Sequence, residues 1–309
     1  MSAIDRTLPA AGRFSLAGPA PLVAACGLLL AVGFVLAKQA ALAGVPPLAF
    51  AFWHAVGGAV LTGGLVLARP EARASLRGRL APVIRYSLAA GLMSMALPNA
   101  IAFSAVAELG AGQVALVYAM PPVLTYAIVV ALRHEPLAWR RGIGVLLSVG
   151  GLLAAMAPVW RAGLSGPLAW WLMLLSVPVA ISAANVYRSR RWPAGVQALP
   201  LAFGMLAAAA LWLLPVLAWR DALWLPLPGR PGTAPVLAQM AVSGLTFILY
   251  FRLQKVGGPV VLSQIGPVSA VGGLALGAAM LGEVHSPWLL GAIPLVVAGA
   301  ALVTRPLPR

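Results

Sequence analysis

The sequence predicts an all-α integral membrane protein of ten transmembrane helices, arranged as two inverted repeats of five helices with both termini in the cytoplasm. Three observations predict this fold class. Of the 309 residues, 61% are hydrophobic and only 9% are charged, whereas roughly a quarter of the residues in a soluble domain are charged. Apolar runs of about 18 residues or more, enough to cross a bilayer, recur almost from end to end. The basic residues are concentrated in alternate breaks between these runs.

Turn residues or basic segments mark the end of each predicted span, as expected where a helix has to stop. Within a span the helix satisfies its own backbone hydrogen bonds, which a lipid environment requires. The spans, numbered 1 to 10 in chain order, cover residues 20–42, 47–68, 83–106, 110–132, 138–158, 166–188, 197–219, 234–253, 258–282 and 287–304. The breaks that carry glycine or proline lie at Gly44-Val45-Pro46-Pro47, Pro158, Gly166-Pro167, Pro226 to Pro235, Gly257-Gly258-Pro259 and Ser286-Pro287.

The distribution of Lys and Arg predicts which side of the membrane each break faces. If the N-terminus is cytoplasmic, the outer segments hold only Arg161, Arg220 and Arg230, and Lys38 lies within span 1. The cytoplasmic segments then hold 17 basic residues: Arg6, Arg13, Arg69, Arg73, Arg77, Arg79, Arg85, Arg133, Arg140, Arg141, Arg188, Arg190, Arg191, Arg252, Lys255, Arg305 and Arg309. Such an excess is typical of cytoplasmic loops. The asymmetry predicts an even number of spans in a multi-pass protein of the bacterial inner (plasma) membrane, and it explains the net charge of +15 without a nucleic-acid partner.

The two halves of the chain resemble each other weakly. Residues 43–48 correspond to residues 194–199, and each segment joins the first two spans of its half. Further on, the two halves share the order Pro, Glu, Gly, Gly, at Pro122, Glu135, Gly142 and Gly150 and again at Pro267, Glu283, Gly291 and Gly299. Because five spans is an odd number, the second half is expected to insert upside down, as in many secondary transporters. The predicted organisation is a cytoplasmic tail at 1–19, a first repeat at 20–158 and a second at 166–304; a static duplicated membrane protein is the alternative.

The loop Arg133-His134-Glu135-Pro136-Leu137, with Pro122 before it and Gly142 and Gly150 after it, resembles the EamA-type repeat of the drug/metabolite transporter superfamily. The region from Pro267 to Gly299 is similar to a second copy, and residues 33–38 of span 1 are also similar. The resemblance covers roughly residues 20–304. It implies a ten-helix carrier of amino acids or other metabolites, nucleotide sugars, vitamins or lipid-linked sugars. It also implies a central cavity lined mainly by spans 1, 3, 4, 6, 8 and 9.

Polar side chains inside the bilayer are costly, so they are the candidates for a site. In span 8, Gln239, Ser243, Thr246 and Tyr250 recur at helical spacing and share one face, which either lines a cavity or forms hydrogen bonds between helices. The other candidate substrate-binding residues are Lys38, His54, Asn99, Gln113, Tyr118, Asn185, Ser263 and Gln264. For Lys38 the alternative is a side chain that reaches to the outer interface. Candidate kinks or hinges are Pro121, Pro122 and Pro267.

The residues that are missing from the spans also narrow the function. No Asp or Glu lies in the middle of a span, which favours facilitated diffusion, exchange or coupling through His54 over a carboxylate proton relay. No catalytic residues, metal or cofactor are expected, because the three histidines lie in different segments without an enzymatic motif. Lys38 is the one buried cation that the sequence predicts, so dianionic substrates fit poorly.

The sequence therefore predicts a secondary transporter that exports a small neutral or zwitterionic metabolite, such as an amino acid, by alternating access around a midplane cavity. The alternatives are import of a vitamin or nucleoside-like metabolite, translocation of a lipid-linked sugar, and a membrane scaffold subunit. The expected partners are the small-molecule substrate and the lipid bilayer, and a homodimer stays open as a further alternative.

Overall fold

A computed structural model describes residues 18–109, 117, 120–157, 166–281 and 288–305, and helices account for most of these residues. Within these residues no strand occurs. The main helices are α1 (Pro19–Leu42), α2 (Pro47–Ala68), α3 (Leu80–Gly91, a π turn at Leu92–Ala96, and Leu97–Leu109), α4 (Pro121–Ala131), α5 (Trp139–Ala155), α6 (Leu168–Arg190), α7 (Ala198–Trp219), α8 (Thr233–Ser263), α9 (Ile265–Leu281) and α10 (Trp288–Thr304). A short helix, Pro70–Ala74, precedes α3.

Glycine and proline set the helix ends where the sequence predicts them. Helices α1, α2 and α4 each have a proline in their first positions, where the missing N–H has no intrahelical partner to lose. After α1, Gly44 adopts a φ of 78°, a left-handed conformation that a residue with a Cβ rarely adopts. The chain can therefore reverse direction between α1 and α2.

The boundary between spans 8 and 9 differs from the prediction. Gly258 has φ 70° and ψ −173°, so α8 breaks at the predicted Gly257-Gly258-Pro259 segment. Helical hydrogen bonding nevertheless resumes after this kink and continues to Ser263, and α9 begins at Ile265 rather than at 258. The reason is that Pro259 lacks an N–H but has a φ that suits the first turn of a new helical segment. A short helical linker thus separates the two spans.

The described helices include six that are long and apolar enough to cross a membrane: Pro19–Leu42, Pro47–Ala68, Leu80–Ala102, Leu168–Arg190, Ala198–Trp219 and Thr233–Ser263. Three further apolar helices, at Pro121–Ala131, Ile265–Gly277 and Gly291–Thr304, are shorter. Large apolar side chains such as Leu67, Leu146 and Leu172 are more than 60% exposed. So many exposed apolar side chains are unfavourable in water. These helices and their exposed faces are those of a multi-pass membrane protein.

Helix packing links the two halves of the chain. Helix α1 packs against α8 and α9, and α6 packs against α3 and α4. Helix α2 packs against α7 and α8, α3 packs against α7, and α5 packs against α10. The α5–α10 contact is close because both helices carry glycine: a Cβ added at Gly144 would lie 2.8 Å from the carbonyl oxygen of Gly299. Small residues allow this approach of two backbones in a membrane.

Candidate functional site

The largest fully buried side chain of the described chain is that of Arg188, in the last turn of α6. It is 1% exposed, and among the buried polar side chains of the described residues it is the one that carries a formal charge. A guanidinium stays ionised in a protein, so burial does not neutralise it. Arg188 therefore needs acceptors on several sides, and the surrounding helices provide them.

Four neutral side chains from three helices accept hydrogen bonds from Arg188. Its Nε donates to Gln254 Oε1 at 3.2 Å, and its Nη2 donates to Asn185 Oδ1 at 2.6 Å and to the Tyr250 hydroxyl. Its Nη1 donates to Ser94 Oγ, which lies in the π turn of α3. The guanidinium carbon also lies 5.2 Å from the centre of the Tyr250 ring, within the range of a cation–π interaction. We call Arg188 and these four side chains the Arg188 network.

The network extends to a fourth helix. Gln254 Nε2 donates to the Asn185 carbonyl oxygen at 3.1 Å and to Ser189 Oγ. Asn185 Nδ2 in turn donates to Thr125 Oγ1 of α4 at 3.3 Å. The polar chain therefore joins α3, α4, α6 and α8 inside an apolar bundle, and these are four of the six helices that the resemblance predicts around a cavity.

No carboxylate is among the hydrogen-bond partners of Arg188 in the described part of the chain. Charge-assisted hydrogen bonds offset much of the desolvation of a buried ion, at about 1.5–3 kcal/mol each, but they leave its charge in place. The C-terminal end of α6 adds partial negative charge nearby. The network is therefore well hydrogen-bonded and electrically positive.

A second polar cluster lies between α1, α2 and α8. Gln239 Nε2 contacts His54 Nδ1, which fits the tautomer of His54 that carries its proton on Nε2. A Cβ added at Gly33 would lie 3.2 Å from the Gln239 amide, so this glycine lets α1 approach α8. Gln239 Oε1 and Ser243 Oγ are buried without a partner in the described protein atoms. They are acceptors that a water or a ligand group can use.

A third cluster lies at the link between α8 and α9. Ser148 Oγ of α5 donates to Gln264 Oε1 at 2.7 Å, and Gln264 Nε2 is buried without a described acceptor. Ser263 Oγ donates to the Val260 carbonyl oxygen in its own turn. Pro267 lies in the first turn of α9, where the helix begins, and not in the middle of a span.

The predicted site residues are distributed over these clusters and do not form a single one. Asn185 and Tyr250 lie in the Arg188 network, His54, Gln239 and Ser243 in the second cluster, and Ser263 and Gln264 in the third. Lys38 is exposed on α1, and Asn99 is half-buried on α3. Gln113 and Tyr118 lie outside the described residues. Pro121 and Pro122 are the first two residues of the described α4. Val117 before them is also helical, and the prediction of a kink or hinge depends on residues 110–116 and 118–119, which lie outside the described residues.

Arg188 is not among the site residues predicted from the sequence. The loop-charge pattern places it among the cytoplasmic charges, whereas the structure buries it within α6. A signal for this was present, because Ser182, Asn185 and Ser189 follow at helical spacing and extend a polar face up to the arginine. Ser94 and Gln254 are also absent from the predicted site residues.

The fold and this buried polar network are those of a multi-pass membrane protein. Residues 19–157 match the EamA-like transporter family. This part of the chain therefore belongs to that family, within the drug/metabolite transporter superfamily, and the resemblance predicted from the 133–137 loop is confirmed there. The family is one of transporters and not of enzymes.

Comparisons of the whole chain show the fold. A solved crystal structure is similar over 93% of this chain and 96% of its own, with a TM-score of 0.74 and 23% sequence identity. At this identity the likeness shows the fold alone. No curated protein matches the chain.

Proposed function

We propose that the protein is a secondary transporter of the bacterial inner membrane that exports a small neutral or zwitterionic metabolite, such as an amino acid, by alternating access. Ten helices cross the membrane as two inverted repeats, 20–158 and 166–304. The Arg188 network carries the proposal, because a polar chain through four helices, with Arg188, Asn185 and Gln254 buried at its centre, serves no purpose toward lipid. Such intramembrane groups typically mark a substrate path. The EamA-like match of residues 19–157 supports the same function.

The packing of the helices supports the inverted repeat. If each helix is exchanged for its equivalent in the other repeat, so that α1 becomes α6 and α9 becomes α4, the observed contact α1–α9 becomes the observed contact α6–α4. In the same way α1–α8 becomes α6–α3, and α2–α8 becomes α7–α3. The pairs α2–α7 and α5–α10 are unchanged by this exchange. A two-fold relation between two five-helix units produces such a pattern, and substrate sites in such carriers lie where the units meet.

A counterflow assay tests the function. Purified protein is reconstituted into liposomes that are loaded with unlabelled metabolite pools, and the uptake of each labelled compound is measured against protein-free liposomes. We expect saturable exchange of small neutral or zwitterionic compounds. The matched variant is Gln239→Leu with Tyr250→Phe, which removes polar groups from two of the clusters and is expected to reduce exchange. Wild-type protein that exchanges no compound would favour a scaffold. A double variant with unchanged flux would show that these two clusters do not line the substrate path.

A further inference from the structure

We propose that Arg188 binds the carboxylate of the transported molecule, so that the substrates are compounds with one carboxylate, including zwitterionic amino acids. This inference rests on the proposed transport function and narrows it. Arg188 is buried at 1% exposure in the interior of the bundle. Its charge is therefore not one that water simply solvates at a surface.

The chemistry of the partners favours a carboxylate. Guanidinium and carboxylate form paired, charge-assisted hydrogen bonds that neutral acceptors do not match. Two of the present acceptors, the hydroxyls of Ser94 and Tyr250, are themselves able to donate. A carboxylate placed between these three residues accepts hydrogen bonds from the guanidinium and from both hydroxyls. Asn185 and Gln254 continue to hold the arginine in place.

The charge count favours a monoanion. The other basic residues near this end of α6 and α8 are exposed: Arg190, Arg191, Arg252 and Lys255. One buried positive charge neutralises one carboxylate, whereas a phosphate dianion would leave a buried negative charge unpaired. The network therefore fits a monocarboxylate better than a phosphate ester.

A pocket beside the network offers a way in. Its volume is ≈ 230 Å³, and it is lined by Ser189, Trp192, Gln254, Lys255 and Gly258. Gln254 and Ser189 also belong to the hydrogen-bond chain around Arg188. The exposed Lys255 attracts anions to the pocket, and Gln254 both lines the pocket and accepts a hydrogen bond from the guanidinium. By the predicted topology this pocket faces the cytoplasm, as an exporter requires.

The decisive variant is Gln254→Glu, because Arg188→Gln removes the centre of the network and can unfold the protein. The introduced side chain has nearly the same shape as glutamine and gives Arg188 a carboxylate from within the protein. The substitution removes the two hydrogen bonds that Gln254 Nε2 donates to the Asn185 carbonyl oxygen and to Ser189 Oγ, but it keeps the charged centre of the network, and the Tm of the unliganded variant checks that it folds. The substrate carboxylate then meets an arginine that is already paired. Gln197→Glu makes the same chemical change at an exposed position and is the matched control.

Two readouts separate the inference from the proposed function. Thermal unfolding of the purified protein in detergent reports binding, and counterflow in liposomes reports transport. The probes are L-amino acids and simple monocarboxylates, the carboxamide of each, and glycerol 3-phosphate. We expect the carboxylates to raise the Tm of the wild type and of Gln197→Glu and the carboxamides not to do so. We expect Gln254→Glu to weaken carboxylate binding and exchange on the order of 10- to 100-fold, since a charge-assisted contact is lost.

The outcomes are distinct. The inference is overturned if carboxamides or glycerol 3-phosphate raise the Tm as much as carboxylates do. It is also overturned if no carboxylate raises the Tm, or if Gln254→Glu leaves carboxylate binding unchanged. If these results accompany normal exchange, the proposed transport function stands and the role of Arg188 is structural. Carboxylate binding that depends on position 254 without any exchange would instead support the anion site and contradict the transport function.

Discussion

Arg188 shows that the role of an arginine depends on how deeply its side chain is buried. In the sequence it stands beside Arg190 and Arg191, and loop-charge reasoning treats the three alike. In the structure Arg190 and Arg191 are exposed, whereas the side chain of Arg188 bends back along α6 to reach Asn185 one turn earlier, the direction that helical side chains favour. The charge pattern indicates topology on average, but it contains no information about which arginine points inward.

The Tyr250 hydroxyl is expected to stabilise the network. Tyr250→Phe keeps the ring near Arg188 and removes one of its acceptors. Because a hydrogen bond to a buried charge is lost, we expect a loss of about 1–3 kcal/mol in the free energy of unfolding. The measurement is denaturant-induced unfolding in a fixed detergent.

Tyr187→Phe is the control for Tyr250→Phe. Tyr187 is half-buried and stacks on Tyr86, with ring centres 5.8 Å apart, and phenylalanine preserves that stacking. We expect a smaller loss of stability than for Tyr250→Phe. Equal losses in the two variants would contradict the assignment of Tyr250 as a partner of the buried charge.

At the scale of the element, helix ends are easier to predict than helix interiors. The ends of α1 and α2 follow the prediction closely because glycine and proline act on their own backbone and need no distant partner. The π turn at Leu92–Ala96 has no such signal, since Leu, Met, Ser and Ala all fit a regular helix. It places Ser94 beside a residue 94 positions further along the chain, so tertiary contact decides it.

The glycines of α5 and α10 provide a test of close helix packing. The sequence pairs Gly150 with Gly299 as equivalent positions of the two repeats, but the structure distinguishes them. A Cβ added at Gly299 would lie 2.5 Å from the Gly144 carbonyl oxygen, whereas a Cβ at Gly150 would meet nothing within 4 Å. We expect Gly299→Ala to destabilise the protein by about 1–3 kcal/mol, because the two backbones have to separate.

Gly150→Ala is the matched control for Gly299→Ala, since it makes the same substitution at an open helical position. Alanine is favoured over glycine inside a helix by about 0.5–1 kcal/mol, so we expect unchanged or slightly higher stability. Thermal unfolding of both variants in one detergent checks the pair. A Gly299→Ala protein as stable as Gly150→Ala would show that α5 and α10 are not packed backbone to backbone.

At the scale of the whole molecule, the sequence predicts a number of spans and a direction for each of them, but not which helices touch. Hydrophobicity and loop charge indicate where a span lies and which way it runs, and both act between the chain and the membrane without any contact between helices. Packing depends on which small residues face each other, and Gly144 and Gly299 are 155 positions apart in the chain. The predicted polar residues fall into three clusters for the same reason, since residues that are close together in α8 contact different neighbouring helices.

The proposed inverted orientation of the two halves predicts opposite faces of the membrane for equivalent loops. Cys26 is a buried free cysteine, so a Cys26→Ala protein is a suitable background for single introduced cysteines. Leu137→Cys tests the loop of the first half and Ser286→Cys the equivalent loop of the second. Because an odd number of predicted spans lies between the two positions, we expect a membrane-impermeant maleimide to label Ser286→Cys in spheroplasts and Leu137→Cys only in inverted vesicles.

Leu227→Cys, in the proposed outer loop before α8, is the control that should be labelled together with Ser286→Cys. If positions 137 and 286 are labelled from the same side, the two halves are parallel, and a carrier that alternates between mirrored states is no longer supported.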